Sequence, residues 1–135
     1  MKKLLPSIIL LPILLAGLSS CRNTTSRKEN LQSEIVFSDT LHHFGIIPLS
    51  QPIDSFDFVF TNMGKEKLVI LGVETSCHCT SAIYPHQPVE SGKQSYIRVI
   101  YDGRERSPEY FNKSIRVITN AGREYVILSI DGKLQ

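Results

Sequence analysis

From Glu34 onward, apolar side chains recur at every second position in short runs closed by turn residues, and no window of helical length carries an apolar period of 3.6. Successive side chains on a strand point to opposite faces, so a chain patterned this way can bury one face and wet the other only as β-strands. Phe56, Phe58 and Phe60 alternate with Asp57, Val59 and Thr61, which places three phenylalanines on one face. Asn62-Met63-Gly64-Lys65 reads as a turn, after which Leu68 to Val73 resumes as a more continuously apolar strand. Ser95 to Tyr101 sends Ile97, Val99 and Tyr101 one way and closes at Asp102-Gly103-Arg104. Tyr110 to Thr119, the short Asn120-Ala121-Gly122 loop and a return over Glu124 to Ile130 make a hairpin that aligns Val126, Leu128 and Ile130. Weaker runs at Ile35–Phe37 and Thr80–Tyr84 bring the strands to about seven.

Seven short strands at this spacing predict an all-β, immunoglobulin-like β-sandwich over residues 34–135. The chain has no Trp, so the Cys…Trp…Cys pattern of antibody domains is absent and the relation is architectural.

The first twenty residues follow a different rule. Lys2 and Lys3 precede an apolar run from Leu4 to Leu18 that contains Pro6 and Pro12 and ends in Leu18-Ser19-Ser20-Cys21. A charged start, a short apolar core and small residues before a cleavage point are the parts of a secretion signal, and a membrane span would need about 20 apolar residues. The last four residues resemble the bacterial lipobox, which implies a diacylglyceryl thioether on the Cys21 sulfur, carrying acyl chains such as palmitate, and cleavage before Cys21. The alternatives are an ordinary signal peptide cut near Ala16, or a signal anchor. Residues 1–20 are thus expected to be a lipoprotein signal peptide, and residues 21–33, polar and without periodicity, a lipidated tether. Arg22 rather than Asp follows Cys21, which by resemblance to enterobacterial sorting implies an outer membrane facing the periplasm. The expected partners are therefore a membrane, through the lipid, and another envelope protein.

Charge narrows the partners further. Fifteen Lys plus Arg stand against thirteen Asp plus Glu. Without Lys2 and Lys3 the two signs balance, so the domain lacks the basic excess of a nucleic-acid-binding surface.

Several stretches, read in order, resemble the bacterial family known as domain of unknown function 1573, immunoglobulin-like sandwiches often found in lipoproteins. They are His43-Phe44-Gly45-Ile46, Phe58-Val59-Phe60-Thr61-Asn62-Met63-Gly64 with Leu68-Val69-Ile70, and Ser76-Cys77-His78-Cys79-Thr80. Tyr84-Pro85, Pro88-Val89, Gly92, Tyr101-Asp102 and Thr119-Asn120 follow in matching order. His78 occupies the family's usual glycine between the cysteines, and Ser91-Gly92 replaces a usual Pro-Gly. The resemblance brings no established reaction.

Cys77 and Cys79 are the one chemically suggestive pair. On an extended strand they share a side and His78 takes the other, whereas a turn or bulge would relax that separation. Four states remain open for them: two packed thiols, a disulfide closed across one residue, a Cu(I) or Zn site using Cys77, His78 and Cys79, and a reactive thiol. A metal would need a fourth donor from His42, His43 or His86. Thiol catalysis usually has Cys-x-x-Cys opening a helix, and here the spacing is one residue with no helix after it. His42 and His43 are adjacent on an extended segment, which predicts one half-buried ring and one exposed ring. Asp54 and Asp57 are expected to be solvated. No Ser-His-Asp order, nucleotide loop or His-Glu-x-x-His motif occurs. No catalytic residue is assigned and no cofactor beyond the covalent lipid is expected. The predicted function is a non-enzymatic, lipid-anchored binding, scaffolding or assembly module, with a periplasmic metal-binding or thiol-redox protein as the alternative.

Overall fold

The computed structural model describes residues 32–122 and 125–135. Residues 1–20, Cys21, most of the tether and Glu124 lie outside the described residues. Eight strands follow in chain order: β1 Ile35–Phe37, β2 Leu41–Ile47, β3 Ile53–Asn62, β4 Ile70–Thr75, β5 Thr80–Ile83, β6 Gln94–Asp102, β7 Glu109–Thr119 and β8 Val126–Leu134. They form two four-stranded sheets, ordered β1-β3-β6-β5 and β2-β8-β7-β4.

The alternating runs lie in the sheet centres. In β3, Phe58 and Phe60 are fully buried, and opposite them in β6 so are Ile97, Val99 and Tyr101. The second sheet answers with Ile115 and Val117 from β7 and Leu128 and Ile130 from β8. Removing one such side chain from water contributes about 1.5–3 kcal/mol, so this interlayer is the main source of stability. Two stacked pairs join the layers: Tyr101 on Phe111 with ring centroids 3.9 Å apart, and His42 on Phe56 at 3.7 Å.

The strand beyond the expected seven is β2. It pairs in parallel with β8, and its register slips between His43 and Ile46 around Gly45, which adopts φ +71°. The slip puts Phe44 and Ile47 on the core side with two outward residues between them, which hides the period of two. β8 also continues past Ile130 to Leu134. Gly132 permits this, because a Cβ there would lie 2.8 Å from Cζ of Phe111.

The sandwich has two poles. Ile35 pairs with Asn62, and Ser33 Oγ donates to Asn120 Oδ1 at 3.0 Å, so the described chain begins at the pole holding Asn62 and Asn120. Ser33, grouped with the tether on sequence, is only 4% exposed. Ile53 pairs with Asp102 at the far end of β3 and β6. These two strands separate the proximal pole from the distal one by about 30 Å.

Candidate functional site

At the distal pole β4 passes to β5 through Ser76–Cys79. Ser76 fixes the departure from the sheet, its N–H donating to Ser114 O at 3.1 Å and its Oγ accepting from Ser114 N–H at 3.1 Å. A tight turn follows, in which Thr80 N–H donates to Cys77 O at 3.0 Å and Thr75 Oγ1 donates to the same oxygen at 3.3 Å. Asp102 N–H then donates to Cys79 O at 2.8 Å and ties the turn to the end of β6. Because the segment turns here, Cys77 and Cys79 meet, and they are joined by a disulfide with Cα atoms 5.1 Å apart. Cys79 is 8% exposed and belongs to the core, whereas Cys77 is half-buried and His78 is exposed.

The disulfide forms one wall of a cleft of about 480 Å³, lined otherwise by His78, Asp102, Arg104, Glu105 and Arg106. Both arginines are held. Arg104 Nη2 donates to Asp102 Oδ2 at 2.6 Å, and Arg106 Nη2 donates to Glu109 Oε1 at 2.7 Å. The Arg104 guanidinium keeps the Asp102 carboxyl below its ordinary range, and the pairing raises both arginines. The rim is therefore rigidly charged yet near neutral. Beside it the fully buried Tyr101 hydroxyl has no protein partner, and burial pushes its pKa up, with Glu109 adding to the shift and Arg106 opposing it.

The histidines do not join the cysteines. His42 packs edge-on to Phe44 as well as flat on Phe56. His43 is exposed and its Nδ1 lies 2.6 Å from Asp131 Oδ1. His86 contacts Tyr84 in the segment after β5. With Cys77 and Cys79 sulfurs bonded to each other, His78 stands without a thiolate beside it. Among the described residues no group of three or more His, Cys, Asp or Glu is gathered as a metal site. Asp57 is paired with Arg98 through two bonds of 2.6 and 2.7 Å, which hold its carboxyl below the usual range.

The remaining motif residues close the proximal pole. Asn62 is fully buried, its amide donating to Glu66 O at 2.7 Å and Val89 O at 2.9 Å while its Oδ1 accepts from Gly64 N–H at 3.0 Å and Glu34 N–H at 3.3 Å. Asn120 does the same for β4, donating to Lys67 O and accepting from Val69 N–H, both at 2.9 Å. Ser91 Oγ donates to Gly64 O at 2.6 Å. The loops around Cys77–Thr80 and Pro85–Gly92 thus lie at opposite poles, since Val89 bridges Leu68 and Gly92 N–H bonds Asn62 O. The arginine wall was not visible in the sequence. Arg104 and Arg106 are brought beside the cysteines by the long-range pairing of β5 with β6, which the bond between Asp102 and Cys79 extends.

Residues 35–134 match the family described as protein of unknown function (DUF1573), and the chain belongs to it. No curated protein matches the sequence. Among solved structures, the chain is similar to a Porphyromonas gingivalis protein of unknown function, at 14% identity and TM-score 0.69, over 83% of this chain and 51% of that one. It thus spans about half the length of that protein. It is also similar to the VesB protease of Vibrio cholerae, at 17% identity and TM-score 0.52, over 77% of this chain and 32% of the other. A third is the ASH / PapD-like domain 7 of human CEP192, at 10% identity and TM-score 0.50, over 88% and 96%. At such identities the likeness is one of fold, a two-sheet sandwich like the PapD-like domain of the last comparison.

Proposed function

We propose that this member of the DUF1573 family is a non-enzymatic binding module of the bacterial cell envelope, lipid-anchored through Cys21 to the outer membrane and facing the periplasm. The observation that carries this reading is the polarity of the sandwich. Near the start of the described chain, Ser33 is fixed on the proximal pole, and the cleft opens about 30 Å away on the distal pole. A tether leading back to a lipid at Cys21 leaves the distal pole turned away from the membrane, where a partner protein can reach it. Supporting this, the cleft pairs its charges internally and gathers no nucleophile, base and orienting group in one line.

Anchoring is tested in cells grown with an alkyne-tagged palmitate. The full chain should carry label and sediment with membranes, and Cys21→Ser should lose both. Binding is tested by photo-crosslinking residues placed at His78, on the distal pole, and at Met63, an exposed proximal residue. Discrete adducts from position 78 and none from position 63 are expected. Label retained by Cys21→Ser overturns the anchor, and equal adducts from both positions overturn the distal surface.

A further inference from the structure

The Cys77–Cys79 bond is badly placed to act as a structural staple. A disulfide stabilises a fold mainly by removing loop freedom from the unfolded chain, and that effect shrinks with the loop it closes. Here the loop contains a single intervening residue. The turn is meanwhile held without the sulfurs, through the bonds of Thr80 N–H and Thr75 Oγ1 to Cys77 O and of Asp102 N–H to Cys79 O. Coupling is reciprocal, so a bond that contributes little to the fold receives little from it. Structural disulfides of secreted proteins resist reduction, and strained or exposed ones are the labile class. This bond lacks the support of a large closed loop, and half of it faces a cleft.

The two sulfurs are also unequal. Cys77 is half-buried in the wall of an open cleft, whereas Cys79 is 8% exposed, with Thr80 Oγ1 3.9 Å from its sulfur. An incoming group reaches Cys77 first.

We propose that Cys77–Cys79 is a reversible thiol–disulfide exchange site, attacked at Cys77 by a dithiol donor, either a small molecule or a protein. A donor thiolate forms a new S–S bond to Cys77 Sγ. The Cys77–Cys79 bond breaks, and its electron pair leaves on Cys79 Sγ, which takes a proton from water. The donor's second thiolate then attacks its own sulfur in the mixed disulfide and releases Cys77 as thiolate. The chain gains two electrons as a dithiol, and the donor loses two as a disulfide. The turn's backbone bonds hold the two cysteines near each other afterwards, ready to close again when an oxidant replaces the donor. This is a change of state rather than a turnover, it goes beyond the binding reading, and it does not depend on the lipid.

The test uses the full chain purified in detergent and equilibrated with dithiothreitol at increasing ratios of reduced to oxidised form. Free thiols are trapped by maleimide and counted by mass. Complete two-thiol reduction of the folded chain, reversed by oxidised dithiothreitol, is expected, with an unchanged circular dichroism spectrum. Glutathione disulfide should modify Cys77 in Cys79→Ser about tenfold faster than it modifies Cys79 in Cys77→Ser. If either variant fails to fold, mapping the first glutathione adduct on the wild-type chain decides the same point. A bond that opens only on denaturation, loss of structure on reduction, or first attack at Cys79 overturns the proposal. Failure of the lipid anchor would show instead as missing palmitate label.

Discussion

At the proximal pole, Asn62 and Asn120 tie together segments far apart in sequence, Asn62 from a fully buried position and Asn120 from an exposed one. At the distal pole, a covalent bond joins two residues that the chain already holds together, and the surrounding charges stand in solvent. Strength of an individual bond and stabilising effect therefore run in opposite directions. Long-range hydrogen bonds to a buried amide close large loops, whereas the disulfide closes almost none.

The largest expected consequence is at Asn62. Asn62→Ala leaves the buried Gly64 N–H without its acceptor, removes the amide donor to Glu66 O and leaves Val89 O with Leu68 N–H alone, and should cost about 3 kcal/mol, lowering Tm by roughly 15 °C. Denaturant and thermal melts measure it, and a loss below about 1 kcal/mol would erase the contrast between the poles. Gly64→Ala comes next. A Cβ there would lie 2.2 Å from Gln32 O and 2.5 Å from Glu34 N, backbone atoms that cannot swing aside, so a cost of about 2 kcal/mol is expected. The same melt, with protease digestion near Ser33 as a second readout, should show the chain's start displaced.

At the distal pole, Cys77→Ser combined with Cys79→Ser should cost less than about 2 kcal/mol, because only a three-residue loop is opened. A double variant as unstable as Asn62→Ala would make the disulfide a staple after all. The smallest effect belongs to the waist between the poles. Burial of the His42 ring lowers its pKa from 6.5, against the opposing pull of Asp54, Asp131 and Asp39. The unfolded chain then takes up a proton at higher pH than the fold does. Stability is complete above that ordinary value and falls as pH drops below it. His42→Phe should flatten melts between about pH 7 and pH 5, and an unchanged slope would assign the dependence to another group.

The sheet centres were legible because alternation reports burial directly. Phe58, Phe60, Ile97, Val99 and Tyr101 face the core as their spacing required. β2 was not, since Gly45 shifts the register and the partner strand lies near the other end of the chain, with no adjacent turn to announce it. The cysteine segment declared itself by composition. Its cleft did not, because Arg104 and Arg106 are set there by pairing of β5 with β6 rather than by any local pattern. Asn62, Gly64 and Asn120 were visible as a motif, and only their hydrogen bonds reveal that they close loops rather than present a surface.

The parallel pairing of β2 with β8 also sets an order of events. Leu41 meets Ser129, and Ile47 meets Leu134. A chain made from its N-terminus must leave β2 unpaired until β8 has been made, since no nearer segment supplies that edge. Folding is then gated by a contact between strands near the two ends of the domain, which belongs to the slow, millisecond-to-second class of β topologies. Losing Asp131 to Leu134 would strip the partner from an early strand as well as shorten a late one.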